Sequence, residues 1–123
     1  MSYVLVLVVE DDVDLRESVV ETLTHRGVRV VEAQHGGEAL ELLQQNPEAS
    51  LVLLDLMMPV VDGWTFRARM LADKSLARVP VVVMSGVDRL SRAAQGLQAA
   101  EFLPKPFALE QLVQVVQRYG PRA

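Results

Sequence analysis

Val4-Leu5-Val6-Leu7-Val8-Val9 is an unbroken run of β-branched and leucine residues that stops at three consecutive acids, Glu10-Asp11-Asp12. Such a run reads as a strand covered on both faces, the habit of strands in parallel sheets. Parallel neighbours need crossover connections, so the rest of the chain must supply strands and helices in turn. Further apolar runs lie at Val28–Val31, Leu51–Leu54 and Val79–Met84, with a weaker one at Phe102-Leu103. Helical spacing appears between and after them: Leu15, Val19 and Leu23; Ala39, Leu40 and Leu43; Phe66 and Met70; Leu90, Ala93, Ala94 and Leu97; Leu109, Leu112, Val113 and Val116. The helix from about Arg89 to Leu97 offers mostly alanine to a core and is expected to be the least firmly packed. Gly27, Gly36-Gly37, Pro47, Pro59, Asp62-Gly63 and Pro80 fall where the alternation needs breaks. The pattern predicts an α/β fold: a doubly wound, five-stranded parallel sheet with right-handed crossovers and helices on both faces. With 123 residues, one domain over 1–123 is expected.

Composition narrows the function. The chain has no cysteine, which removes disulfides, thiolate metal sites and cysteine nucleophiles, and its two histidines are too few for a histidine-rich metal site. Twelve basic against sixteen acidic residues give a net charge of −4, a poor match to nucleic acid or an anionic membrane. The apolar runs are far shorter than the roughly 20 residues that cross a bilayer. Met1-Ser2-Tyr3 lacks the basic start of a signal peptide, so a cytoplasmic location is expected.

In an open parallel sheet, ligands bind beyond the carboxyl ends of the strands. The first predicted strand ends in Glu10-Asp11-Asp12, the third in Asp55 and the fourth in Ser85-Gly86, while the fifth runs into Pro104-Lys105-Pro106. Two carboxylates about 4 Å apart repel by roughly 4 kcal/mol at an effective dielectric of about 20, so three cannot gather as anions without a cation or a proton. Mg²⁺ suits such a place because it takes one or two carboxylates, several waters and a phosphate. Asp55 beside it is a plausible nucleophile toward phosphorus; Ser85 can donate to a phosphoryl oxygen and Lys105 can neutralise another.

Plainer roles compete. Asp12 and Asp14 precede a helix, where aspartate ordinarily caps or meets the dipole. Ser85 before Gly86 is an ordinary turn pair, Trp64, Phe66 and Phe107 read as packing, and His25 and His35 as surface groups. Lysine, in contrast, occurs only at Lys74 and Lys105, and Asp55 is framed by apolar residues on both sides, an expensive place for an idle acid. No G-x-x-x-x-G-K-[ST] loop, G-x-G-x-x-G turn or G-x-S-x-G elbow is present. A mononucleotide-binding electron carrier of flavodoxin type would need phosphate donors where three acids stand. A phosphatase of haloacid dehalogenase type would need an aspartate where Met57 stands.

Val-Leu-Val-Val-Glu10-Asp11-Asp12, Leu-Leu-Asp55-Leu-Met-Met-Pro59 with Asp62-Gly63, Ser85-Gly86 and Phe102-Leu-Pro-Lys105-Pro106-Phe107, in this order and spacing, resemble the receiver domain of two-component response regulators over essentially the whole chain. The resemblance implies a (βα)5 flavodoxin-like fold with strand order 2-1-3-4-5. It implies a signalling phosphoacceptor rather than an enzyme, supporting only its own Mg²⁺-dependent phosphorylation and dephosphorylation. Asp55 would accept the phosphoryl group from a histidine kinase or histidine phosphotransfer protein; Glu10, Asp11, Asp55 and the Met57 backbone carbonyl would arrange Mg²⁺, with Glu10 acting through water. Ser85 would be the switching hydroxyl, Phe102 the aromatic residue that follows it, and Gly86 the small residue beside the pocket. The Lys105-Pro106 bond would be cis. Dimer or effector contacts would use the fourth predicted helix, fifth strand and fifth predicted helix, about Arg89 through Val116. Met57 and Val87 would flank the path of hydrolytic water, and being apolar they imply slow loss of phosphate. A constitutive interaction module without phosphate is the competing reading.

Overall fold

The computed structural model describes residues 4–56, 62–86 and 97–120. In chain order the elements are β1 (Leu5–Val9), α1 (Val13–His25), β2 (Arg29–Ala33), α2 (Gly36–Gln45), β3 (Leu51–Asp55), α3 (Gly63–Ala72), β4 (Val81–Gly86), β5 (Glu101–Lys105) and α4 (Leu109–Gln117). The strands form one sheet in the order β2-β1-β3-β4-β5, which the resemblance implies, with every pair parallel, which the alternation predicts. The helix expected from Arg89 falls, as far as Gly96, outside the described residues.

Pairing rather than hydrophobicity sets the strand limits. β2 starts at Arg29, whose N–H donates to the Val4 carbonyl (3.0 Å), and runs on to Ala33 opposite Val9, so it is displaced from the apolar run at Val28–Val31. β4 begins after Pro80, whose carbonyl still accepts from Val52 N–H (2.9 Å). It continues through Ser85 and Gly86, which lie opposite Pro104 and Lys105. Ser85 and Lys105 are therefore held on paired backbone instead of lying beyond the strands.

All residues of β1 and β3 are buried, as continuous apolar runs demand. Leu5, Leu7 and Val9 face Ala39, Leu43, Phe66 and Met70 of α2 and α3, while Val6 and Val8 face Val19, Leu23, Leu112 and Val116 of α1 and α4. One expected core member differs, and Trp64, read as core or rim packing, lies at the rim. Leu109 is 39% exposed because it opens the first turn of α4, leaving burial to Leu112, Val113, Val115 and Val116. Trp64 is exposed on the first turn of α3, while Phe66 two residues on is fully buried. His25 is exposed; His35 also has a local task, its Nδ1 accepting from Glu38 N–H (3.2 Å) as the N-cap of α2.

The end of α4 is tied to the start of β5 by Glu101, which pairs with Arg118 and accepts from the Tyr119 hydroxyl at 2.6 Å. Burial, together with the hydrogen bond and charge of Glu101, pushes the Tyr119 phenol up to about 12 against the opposing pull of Arg118. A raised phenol pKa favours the neutral form in the folded chain. Its stabilising contribution is thus complete below the ordinary value of about 10 and lost as pH rises toward about 12. Absorbance at the tyrosinate band should show a late ionisation near pH 12 that Tyr119→Phe removes; a titration with only ordinary tyrosine midpoints would refute the tie.

Candidate functional site

Register delivers the site. Val9 is opposite Leu54, so Glu10 and Asp55 follow at the same level on neighbouring strands, and Asp55 opposite Met84 puts Ser85 one step further on. Carboxylate oxygens of Glu10, Asp11 and Asp55 lie within 4.8 Å of one another, the one such group of potential metal ligands among the described residues. Glu10 and Asp55 are buried and Asp11 is exposed, so the cluster has a dry floor and an open side.

Lys105 reaches into this cluster from the last residue of β5, its Nζ 2.7 Å from Glu10 Oε1 and 3.6 Å from Asp55 Oδ1. Burial works against the ammonium charge, but hydrogen bonding to Glu10 and attraction by Glu10 and then Asp55 outweigh it and raise the Lys105 pKa. Lys105 is therefore a cation at neutral pH and offsets one of three carboxylates. The remaining negative charge favours a small hard cation. The Lys105-Pro106 bond is cis, as the resemblance implies.

The acids divide their labour. Asp12 caps α1, accepting from Leu15 N–H at 3.1 Å, and Asp14 sits in that helix's first turn, the plainer roles read for both. Glu10 is held at four points: its N–H donates to the Ala33 carbonyl (3.1 Å), its carbonyl accepts from Arg16 Nη1 (2.8 Å), Oε2 accepts from Asp12 N–H (3.2 Å), and Oε1 meets Lys105. Ser85 Oγ is buried without a hydrogen-bond partner, the only such side-chain atom among the described residues. An unmet hydroxyl costs about 1–3 kcal/mol, and next to this cluster it suits an acceptor arriving from outside. Phe102 is partly buried against the α2 and α3 side of the sheet. Met57 lies outside the described residues, as does Val87.

The N-terminus of α3 closes on the same strand end. Asp62 caps it, accepting from Thr65 N–H at 2.8 Å, and Gly63 N–H donates to the Leu56 carbonyl at 3.2 Å. A methyl group on Gly63 would stand 2.7 Å from both the Asp55 carbonyl and Leu56 Cα. Glycine is needed there for close approach rather than for turn geometry.

Two buried arginines were missed by the sequence reading. Arg16 lies on the spacing 16, 19, 23 with Val19 and Leu23, and Arg67 on 63, 66, 67, 70 with Phe66 and Met70, so both occupy the inward faces of helices. Their spacing was a usable signal; their charge concealed it.

Comparison with known proteins gives the family to which this fold belongs. The model of the response regulator receiver domain family matches residues 6–117. Response regulator MprA of Mycobacterium sp. (strain KMS) is 42% identical over 115 residues, covering 89% of this chain and 47% of the relative. The chain thus spans about half the length of the curated relatives it matches. Among solved structures, chemotaxis protein CheY4 of Vibrio cholerae superposes with a TM-score of 0.86 at 27% identity, covering 96% of this chain and 99% of the other. The receiver domain of a sensor histidine kinase from Pseudomonas aeruginosa, described with a magnesium ion coordinated in its active site cleft, gives 0.81 at 26% identity, covering 96% and 98%. This chain belongs to the response regulator receiver domain family of two-component signalling.

Gly63→Ala should displace the Asp55–Leu56 backbone and cost about 1–3 kcal/mol, the usual range for overpacking. Chemical denaturation checks this, and undiminished stability would mean that α3 moves away freely.

Proposed function

We propose that this chain is a phosphorylation-controlled switch in which Asp55 takes a phosphoryl group from the phosphohistidine of a histidine kinase or histidine phosphotransfer protein. The observation that carries the reading is the gathering of Glu10, Asp11 and Asp55 within 4.8 Å around the reach of Lys105. A carboxylate oxygen of Asp55 attacks phosphorus, the phosphorus–nitrogen bond breaks, and the departing imidazole keeps the electron pair and takes up a proton. Lys105 balances charge on a phosphoryl oxygen, and the unpartnered Ser85 hydroxyl donates to another. Mg²⁺ would be held by Asp11 and Asp55, with Glu10 acting through water and the Met57 carbonyl as the resemblance implies, and would supply neutralisation of the carboxylates and the incoming phosphoryl oxygens. An indirect part for Glu10 fits its two oxygens being engaged by Lys105 and Asp12 N–H.

Movement of Ser85 toward the phosphoryl group would be followed by Phe102 on the neighbouring strand. Phenylalanine has no hydroxyl, so this readout works through packing. The responding surface is assigned to about Arg89 through Val116, where a second copy or an effector would dock. Residues 89–96 of that stretch lie outside the described ones. No helix among the described residues is long and apolar enough to cross a membrane, and a cytoplasmic setting accords with delivery from a kinase.

Acetyl phosphate with Mg²⁺ should add about 80 Da at Asp55, the mass of one phosphoryl group, and nothing to Asp55→Asn. Asp11→Ala should weaken Mg²⁺ binding by more than about tenfold while keeping the fold. A folded wild type that gains no mass would favour a constitutive interaction module.

Phosphate loss should be slow, because neither Met57 nor Val87 can orient a water. The double variant Met57→Asn with Val87→Glu should dephosphorylate clearly faster, and equal decay would remove the argument.

A further inference from the structure

The β1–α1 turn is three residues long, and its two ends are fixed by different means. Asp12 is anchored by capping α1. Glu10 is anchored through its peptide: the N–H by the Ala33 carbonyl and the carbonyl by Arg16 Nη1. Asp11 stands between them with an exposed side chain, so its direction toward Asp55 is inherited from these neighbours. Arg16 is only 7% exposed, and its Nε meets Glu32 Oε1 at 3.0 Å. Glu32 and Ala33 are consecutive on β2, so the edge strand grips the Glu10 peptide twice, once directly and once through the guanidinium.

We infer that Arg16 is a positioning residue for the acidic site, with Glu32 as its brace: together they hold the Glu10 carbonyl so that the Glu10–Asp11 turn presents its carboxylates to Asp55 at a spacing a small divalent cation accepts. The inference rests on the metal-binding reading above. A planar guanidinium can direct Nε to one acceptor and Nη1 to another at fixed divergence; an ammonium on a flexible stem cannot hold both in register. The residue that supports the site is thus itself supported from the sheet edge, in the way that outer partners orient the ligands of metal sites.

The test uses the full chain with Arg16→Met, Arg16→Lys and Glu32→Gln. Calorimetric titration with Mg²⁺ alone should show roughly a tenfold loss of affinity for Arg16→Met, the range found when supporting partners of ligands are removed. Arg16→Lys should recover part of it. Glu32→Gln should cause a smaller loss that disappears in the Arg16→Met background, because the brace acts only through the arginine. Without metal, amide exchange at Asp12, whose N–H rests on Glu10 Oε2, should quicken in Arg16→Met while that of Val8 in the core does not. A purely structural role would lower global stability and speed both amides alike, leaving Mg²⁺ affinity of the folded protein within about twofold of wild type; that result overturns the inference. Should Arg16→Met not fold, wild-type affinity in both Arg16→Lys and Glu32→Gln overturns it equally. A wild type that binds no Mg²⁺ defeats the metal reading itself, and the exchange rates then decide whether Arg16 still orders the turn.

Discussion

Mutual repulsion of the Glu10, Asp11 and Asp55 carboxylates is the force against which this end of the molecule is built. Each pair at such distances is worth about 4 kcal/mol at an effective dielectric of about 20, a large part of the 5–15 kcal/mol that holds a typical domain together. The fold meets it in three ways. Asp11 stays in water, Lys105 brings one positive charge to the two buried acids, and the Asp12 N–H donates to the Glu10 carboxylate. What remains uncompensated is a preference for added positive charge. A parallel sheet in strict register creates this situation, because its neighbouring strands end on the same side at the same level.

That dependence explains why so much could be read from the residues. Continuous apolar runs such as Val4–Val9 and Leu51–Leu54 are costly anywhere but in the middle of a covered sheet, so β1 and β3 were plain, and the acids that end them followed. The edge was less legible. β2 carries Arg29 and Glu32 on exposed positions, and its limits come from hydrogen bonds to β1, which hydropathy does not register. Ser85 and Lys105 were read correctly as strand-end residues, yet their fixation on paired backbone depends on β4 and β5 extending past their apolar parts. Leu109 failed as a core residue because it lies in the first turn of its helix, where an apolar side chain can satisfy the period and still look outward, as Trp64 does at the start of α3.

Arg16 and Arg67 show what hydropathy conceals. Both occupy buried helix positions where an apolar residue is the ordinary choice, and both spend their guanidinium on backbone carbonyls. Arg67 donates from Nε to the Leu97 carbonyl (2.7 Å) and from Nη2 to the Gln98 carbonyl (3.0 Å), with the Met70 sulfur 3.3 Å from Nη1. Burial pushes its pKa down from the usual arginine value, but arginine starts so high that the charge survives at neutral pH. Gln98 has a positive φ of 51°, an uncommon conformation for a residue with a side chain, and the arginine bonds the carbonyls on and just before that corner. A hydrophobic side chain would fill the same volume without satisfying them.

The three cations Lys105, Arg16 and Arg67 therefore divide into two kinds. Arg16 and Arg67 are committed to carbonyls whose positions the fold needs constant, and displacing either would orphan a buried acceptor, of Glu10 or Leu97, at about 1–3 kcal/mol. Lys105 is committed only to carboxylates, at 2.7 Å and 3.6 Å, and any group that competes for those carboxylates alters its partners without disturbing a main-chain bond. A flexible ammonium suits that exchange as a forked guanidinium would not. Rigidity has been placed in the arginines and adjustability in the lysine, so the charge able to follow a change at Asp55 is the one whose release costs the backbone nothing.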